Sequence, residues 1–405
     1  MTGPRYDTAI IGAGVIGLSI AWRAAQRGLS VALADPGPAS GATNVAAGML
    51  TPVSEAEYGE EPLLRLGLAS LDRYPAFTAE LAEQSGEPTG FRVTGTLEVA
   101  YDADDLAVLH RLHDLQRSLG VPSERVTAIE ARALEPMLAP SVRGGVHVPE
   151  DGSIDPRMLA RALLAAVSRA GVAVYPKPVA EVTVTTAGRA SGVRLADGAE
   201  LSAGTVVLAA GWQSAAVAGV PAAVVPPVRP VKGQVVRLRG SREPALISRS
   251  VRGIVRGSSI YLVPRENGEL VVGATQEEMG ADTRTTAGGV WELLRDAREL
   301  VPGVTELEFT GAIAGLRPGS PDNAPILGPS ALPGLALATG HFRSGVLLAP
   351  VTADVIAEYL ATGQLPQAAA PFTADRFTAD APSAAPPAAH DGAPGRGTEG
   401  NGRWK

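Results

Sequence analysis

The chain opens on an apolar run that ends at Ile11 and breaks at a glycine-rich turn. Apolar residues then recur at helical spacing over residues 15–26, and a second short apolar run follows at 30–34. That succession predicts strand, turn, helix and strand, a compact βαβ unit. Helical periodicity returns over residues 62–83 and near 104–119, on either side of a stretch at 93–100 that alternates like a half-buried strand. At Asp155-Pro156 a helix start is signalled: the Asp155 carboxylate can take the free amides of a first turn, and Pro156 carries the φ that a first helical position needs. The helix is expected to run to about residue 170, with a strand at 171–175 and a short β-branched strand at 205–209 that ends at Gly211.

From 228 to 275 short strand patterns alternate with turn residues, among them 234–238, 260–263 and 270–274, as in an antiparallel lobe. A strand at 335–338, a glycine turn and a helix from about 345 to 360 close the pattern. The expected fold is α/β: a Rossmann-like domain assembled from the discontinuous segments 1–87, 147–222 and 309–365, with an inserted α+β substrate domain, 88–146 and 223–308, that contains a largely antiparallel sheet. Beyond Pro366 the composition turns to Ala, Pro, Gly and Asp without periodicity, so 366–405 is expected to be a disordered tail.

Composition narrows the function classes. Hydrophobic residues make up 45% of the 405 and charged residues 19%, the balance of an enzyme-sized globular body. A formal net charge of −7 disfavours nucleic acid and anionic membrane surfaces as partners. No apolar run approaches the roughly 20 residues of a membrane span, and the start of the chain reads as having no targeting segment, so the expected address is the cytoplasm. The absence of cysteine excludes disulfides, thiolate metal sites, a cysteine nucleophile and a flavin tethered through sulfur. The five histidines have no ligand spacing, and no metal is expected.

The chemistry is carried first by Gly12, Gly14 and Gly17, a G-x-G-x-x-G set between a strand and the helix that begins with Val15 and Ile16. There the backbone amides and the helix dipole meet a pyrophosphate, and Asp35, at the end of the second strand, is placed to accept hydrogen bonds from a ribose. Three further stretches favour FAD over NAD. Small residues from Ser40 to Met49, with Ala42, Thr43, Ala47 and Gly48, let backbone run beside an extended flavin. A second glycine turn stands at Gly211. The turn His341, Phe342, Arg343, Ser344 and Gly345 feeds a helix, beginning with Val346 and Leu347, whose N-terminus suits negative charge on a reduced ring. With no cysteine, and no histidine from Ser40 to Met49, the FAD is expected to be noncovalent.

These motifs, together with Ala46-Ala47-Gly48-Met49-Leu50, Tyr261-Leu262-Val263-Pro264-Arg265, Val271-Val272-Gly273-Ala274-Thr275, Ala314-Gly315-Leu316-Arg317-Pro318 and Gly340-His341-Phe342-Arg343, resemble the D-amino-acid-oxidase-like flavoproteins, and within them the glycine oxidases associated with thiamine biosynthesis. The resemblance implies that Tyr261 and Arg317 bind a substrate carboxylate, that Arg343 lies at the flavin near the substrate, and that Val179 gives backbone contacts to the adenine. It implies a small amino-acid substrate, with glycine first and sarcosine or a D-amino acid beside it. Hydride transfer to flavin N5, oxygen as acceptor and a homotetramer are implied as well. Bland readings stay open for these residues: an ion pair for Arg317, core packing for Tyr261, bracing of the glycine turn for Arg343. Ser259 and Gln276 depart from the pattern, which has histidine and methionine there, and Gln276 is placed at the substrate. Two rival functions remain at this stage, a D-amino acid dehydrogenase that passes electrons to a quinone or protein, and a redox-silent ligand-binding protein of the same fold.

Overall fold

The computed structural model describes residues 4–377, which build two large sheets with a deep cavity between them. The first sheet has eight strands around a parallel set: Ala173–Tyr175, Val31–Ala34, Arg5–Ile11, Glu200–Leu208 and Leu335–Thr339. Antiparallel strands Ala190–Leu195 and Val179–Val184 extend it on one side, and Ile326–Pro329 pairs with Leu335–Thr339. One face is covered by helices Val15–Gln26, Pro156–Arg169 and Ala349–Thr362, which bury Leu18, Trp22, Leu163 and Ile356 in a shared core. Asp155 caps its helix as its sequence position predicts, accepting from the amides of Arg157 at 2.8 Å and Met158 at 3.3 Å.

The second sheet also has eight strands, in the spatial order Glu308–Gly319, Arg229–Arg239, Glu269–Gly273, Ser258–Pro264, Ser250–Val255, Thr96–Ala100, Gly144–Val148 and Glu124–Thr127. Every neighbouring pair is antiparallel except Ser250–Val255 against Thr96–Ala100. Side chains alternate across this sheet with period two. Val236, Leu238, Ile260, Leu262, Leu270 and Val272 pack with helix Ala287–Leu300, whereas Val235, Tyr261, Val263, Val271 and Ile313 form the opposite face with Val45 and Ala47. The second face looks toward the cavity, so a one-residue slip of register would exchange core and site.

Four expectations need correction. The helix expected over 62–83 is two, Glu61–Leu71 and Tyr74–Ser85, because Pro75 has no N–H to give residue 71 and its ring would clash there, so the chain restarts with Pro75 in a first turn. The helix expected from about 345 begins at Ala349, where Pro350 again falls in the first turn, and residues 345–348 form a turn. Strand Glu308–Gly319 belongs to the second sheet and not to the nucleotide-binding segments, pairing with Arg229–Arg239 from Arg229↔Gly319 to Arg239↔Glu308. Its glycines 311, 315 and 319 depress strand propensity, and its partner lies about seventy to ninety residues earlier in the chain. Finally, residues 366–377, assigned above to the tail, form two short 3₁₀ helices with Ala369 and Phe372 buried against the core; residues 378–405 lie outside the described residues.

Candidate active site

The cavity encloses about 1880 Å³ and runs from the glycine turn of the first sheet to the face of the second. At one end the turn after strand Arg5–Ile11 is fixed by crowding. Gly12 has φ +100°, and a Cβ there would lie 2.4 Å from the Ala209 carbonyl oxygen; a Cβ on Gly17 would lie 1.9 Å from the Gly12 oxygen. Gly14 differs, since the nearest atom to its Cβ would be the Thr43 hydroxyl at 3.4 Å, and the residue borders the cavity. Thr43 accepts from the Val15 amide at 3.0 Å, so the small-residue segment is tied to the helix N-terminus. Asp35 bridges the same turn, accepting at 2.7 Å from the amides of Ala13 and of Gly37.

A crossing of backbones holds the middle of the cavity. Gly48, with φ +71°, passes so near Ile154 that a Cβ would meet its carbonyl at 2.0 Å, and Ile154 donates its amide to the Gly48 oxygen at 2.8 Å. Arg265, at the end of the Tyr261 strand, inserts its guanidinium beneath this crossing. It donates to Ile154 O at 2.8 Å and to the carbonyl of Ala47. Burial lowers its pKa to about 10, so it remains a cation at neutral pH.

Tyr261, Arg317 and Gln276 also line the cavity, from strands Ser258–Pro264 and Glu308–Gly319 and from the chain just beyond Glu269–Gly273. One Arg317 nitrogen donates to the Thr275 carbonyl at 3.1 Å, which aims the guanidinium while no protein acceptor among the described residues takes its other terminal nitrogen. Tyr261 stands beside Arg317. Burial raises its phenol pKa, with Arg317 acting in the opposite sense, so the hydroxyl stays protonated and able to donate. The side chain of Gln276 has no hydrogen-bond partner among the described residues. Arg343 also borders the cavity but is committed to acids of the segment after Leu50: it pairs with Glu57, and lies 3.6 Å from Glu60. His341 is buried and hydrogen-bonded to Thr352 at 3.1 Å; burial lowers its pKa to about 3 and keeps it neutral.

The cavity wall thus gathers Gly12, Gly14, Val15, Ile16 and Asp35 from the βαβ unit, and Ala42, Thr43, Ala47, Gly48 and Met49 from the segment after it. Val179, Gly211, His341, Phe342, Arg343, Gly345 and Val346 complete the expected lining. Three expected residues do not face it. Gly17 serves helix–strand packing, and Ser344 and Leu347 border a smaller hollow against residues 52–67. The sequence reading missed Glu55, Glu98 and Arg252, which also line the cavity. Arg252 is directly opposite Tyr261 in the strand register and donates to Glu55 at 2.7 Å. No strand was expected at 250–255, and nothing in the sequence shows that this segment pairs with the Tyr261 strand. Glu98, buried and 3.6 Å from Arg252, has its pKa raised to about 7 by burial. Among the described residues no acid and histidine cluster is arranged to hold a metal, and no helix is long and apolar enough to cross a membrane.

An extended dinucleotide fits these residues: Gly14 leaves open the space a side chain would fill, Gly211 has no atom within 4 Å of a would-be Cβ, and Asp35 stands at the second-strand end. Residues 7–359 match the profile of the family DAO, FAD dependent oxidoreductase. The chain is 34% identical over 373 residues to a glycine oxidase of Geobacillus kaustophilus, covering 91% of this chain and 96% of the relative. It is 34% identical over 358 residues to the bifunctional protein ThiO/ThiG of Trichormus variabilis, covering 87% of this chain and 52% of that one. The crystal structure of glycine oxidase from Geobacillus kaustophilus superposes with a TM-score of 0.84 at 34% identity, covering 92% of this chain and 98% of the other.

Proposed function

The chain belongs to the DAO family of FAD dependent oxidoreductases, and from that premise we propose that it oxidises the carbon beside the nitrogen of glycine, with sarcosine or another small amine as a second substrate. FAD, held noncovalently, supplies the two-electron oxidation when bound. The observation that carries the reading is Arg317, a guanidinium aimed by the Thr275 carbonyl, with one terminal nitrogen that no acceptor among the described residues takes and the protonated Tyr261 hydroxyl beside it.

A planar fork and a phenol together grip one carboxylate, and a small amino acid so held has a single way to present its Cα–H. The amine must be neutral when that carbon is oxidised, because its lone pair stabilises the developing positive charge. No side chain has to abstract a carbon proton. The chain's contribution is orientation and the exclusion of water, with Met49, Ala47 and Val235 lining the apolar wall. The imine product hydrolyses to glyoxylate and ammonia, with oxygen as the final acceptor and hydrogen peroxide formed. The likeness to the ThiO part of ThiO/ThiG supports a role in supplying thiamine thiazole synthesis.

The test is anaerobic addition of glycine to the yellow holoenzyme. Loss of visible flavin absorbance, regained in air with peroxide formed, is the expected result. Bleaching by sarcosine or a D-amino acid but not glycine moves the substrate; bleaching without peroxide points to another electron acceptor; an indifferent flavin overturns the reading.

A further inference from the structure

We propose that Glu55, clamped by Arg252, restricts this site to amines that carry a single carboxylate. The inference deepens the function proposed above and rests on it for the place of the first carboxylate, at Arg317 and Tyr261. Besides Arg317 and the acid-paired Arg343, the same cavity holds the guanidinium of Arg252, opposite Tyr261 across two antiparallel strands, and residues so paired put their side chains on one face within about 5 Å of each other. By itself that arrangement would be a receptor for a molecule with two carboxylates.

Glu55 prevents this. It accepts from Arg252 at 2.7 Å and lines the cavity, and its charge reaches Tyr261 and Arg343. Glu98, in register with Arg252 on the neighbouring strand Thr96–Ala100, lies 3.6 Å from it. A second substrate carboxylate that approaches Arg252 therefore meets a guanidinium already occupied and an acid of its own sign, in a cavity where water screens little. The segment that carries Glu55 is pinned. The Ser54 hydroxyl donates to the buried Asp151, and the Glu55 amide donates to Thr51 O at 3.0 Å. The cationic nitrogen of a monocarboxylate substrate experiences the opposite sign and is attracted.

The probe is iminodiacetate, a secondary amine with a carboxymethyl group on each side, compared with glycine. In the FAD-loaded Glu55→Gln enzyme, iminodiacetate titrated against the visible flavin spectrum should bind at least tenfold tighter than in the wild type, and the ratio of its kcat/KM to that of glycine should rise by a similar factor. In the Glu55→Gln/Arg252→Met double variant the gain should vanish. A general loosening of the cavity would not give that reversal. Glu55→Ala reads the same way should the glutamine variant not fold. Unchanged iminodiacetate binding in both single variants, or a gain that survives loss of Arg252, overturns the proposal. Because binding is read without turnover, a wild type that leaves glycine unoxidised would sink the proposed function and still leave this comparison decisive.

Discussion

Arg317 reaches across Gly233 on the neighbouring strand, so closely that a methyl group built on Gly233 would sit 2.5 Å from both terminal nitrogens of the guanidinium. The glycine is therefore part of the carboxylate site although it bears no functional group. Gly233→Ala should push the fork off its Thr275 contact and raise KM for the amino acid at least about tenfold, while FAD stays bound. Steady-state kinetics beside the flavin-to-protein absorbance ratio check this; an unchanged KM would show that Arg317 does not hold the substrate.

Arg317 itself should separate charge from geometry. Removing one partner of a buried charge-assisted pair costs roughly 2–5 kcal/mol, so Arg317→Ala should lower kcat/KM by about 30-fold or more. Arg317→Lys keeps the charge but loses the planar fork, and should recover only part of that. The competitive inhibition constant of acetate, which has the carboxylate and no nitrogen, should worsen in step with KM in both variants. If acetate binding is untouched, the carboxylate sits elsewhere.

The glycine turn divides into residues that pack and one that faces the ligand. Gly12→Ala places a methyl 2.4 Å from the Ala209 oxygen and forces a side chain into φ +100°, so the apo protein itself should be destabilised. Gly14→Ala meets nothing nearer than 3.4 Å, so the apo fold should keep its melting temperature while FAD affinity falls. Thermal melts with and without added FAD distinguish the two, and equal damage to both apo proteins would contradict the assignment.

How much of this was legible beforehand follows from the range of each interaction. The Gly12 turn, Asp35 and the Asp155 cap are local, and their spacing alone announced them. Tyr261, Gln276 and Arg317 were reached through resemblance, because they converge from strands far apart in the chain. The same distance hid Arg252 and Glu55: 197 residues separate the two, and only the register that sets Arg252 against Tyr261 puts them in one cavity. The Glu308–Gly319 strand and the packed residues 366–377 were misread for a related reason, since glycine- and alanine-rich composition does not reveal a partner that supplies burial from elsewhere.

The acids behind the cavity make stability depend on pH. Burial, the largest cause in each case, raises Asp151 to about 8 and Glu98 to about 7, above the usual carboxylate range. Between about pH 4 and 8 the folded state therefore holds protons that the unfolded chain has released, so stability is greatest at the acid end and falls as pH rises through the folded pKa values. One such group accounts for at most about 1.4 kcal/mol per pH unit. Asp151→Asn keeps an oxygen for the Ser54 hydroxyl and removes the titration, so urea midpoints from pH 5 to 9 should decline less steeply than in the wild type. Parallel slopes would mean that Asp151 is not the group that titrates.

The end of the described chain also bears on the site. Ala369 and Phe372 are buried in the core of the first sheet, and Arg376 grips Asp322 through two nitrogens, at 2.7 Å and 3.0 Å. Asp322 lies in the turn whose neighbours Pro321 and Asn323 line the cavity, and Asn323 reaches Glu60 at 3.3 Å. Losing a buried phenylalanine side chain alone costs about 3–5 kcal/mol. A chain ended at Leu365 should therefore melt at least about 5 °C below one ended at Phe377, and should retain FAD less tightly because the 320–324 turn loses its anchor. Arg376→Ala in the longer chain isolates the anchor. It should loosen FAD or raise KM with little change in melting, since an ion pair partly open to water contributes about 1 kcal/mol or less. If the two truncated chains melt together and bind FAD alike, residues 366–377 have no part in holding the site.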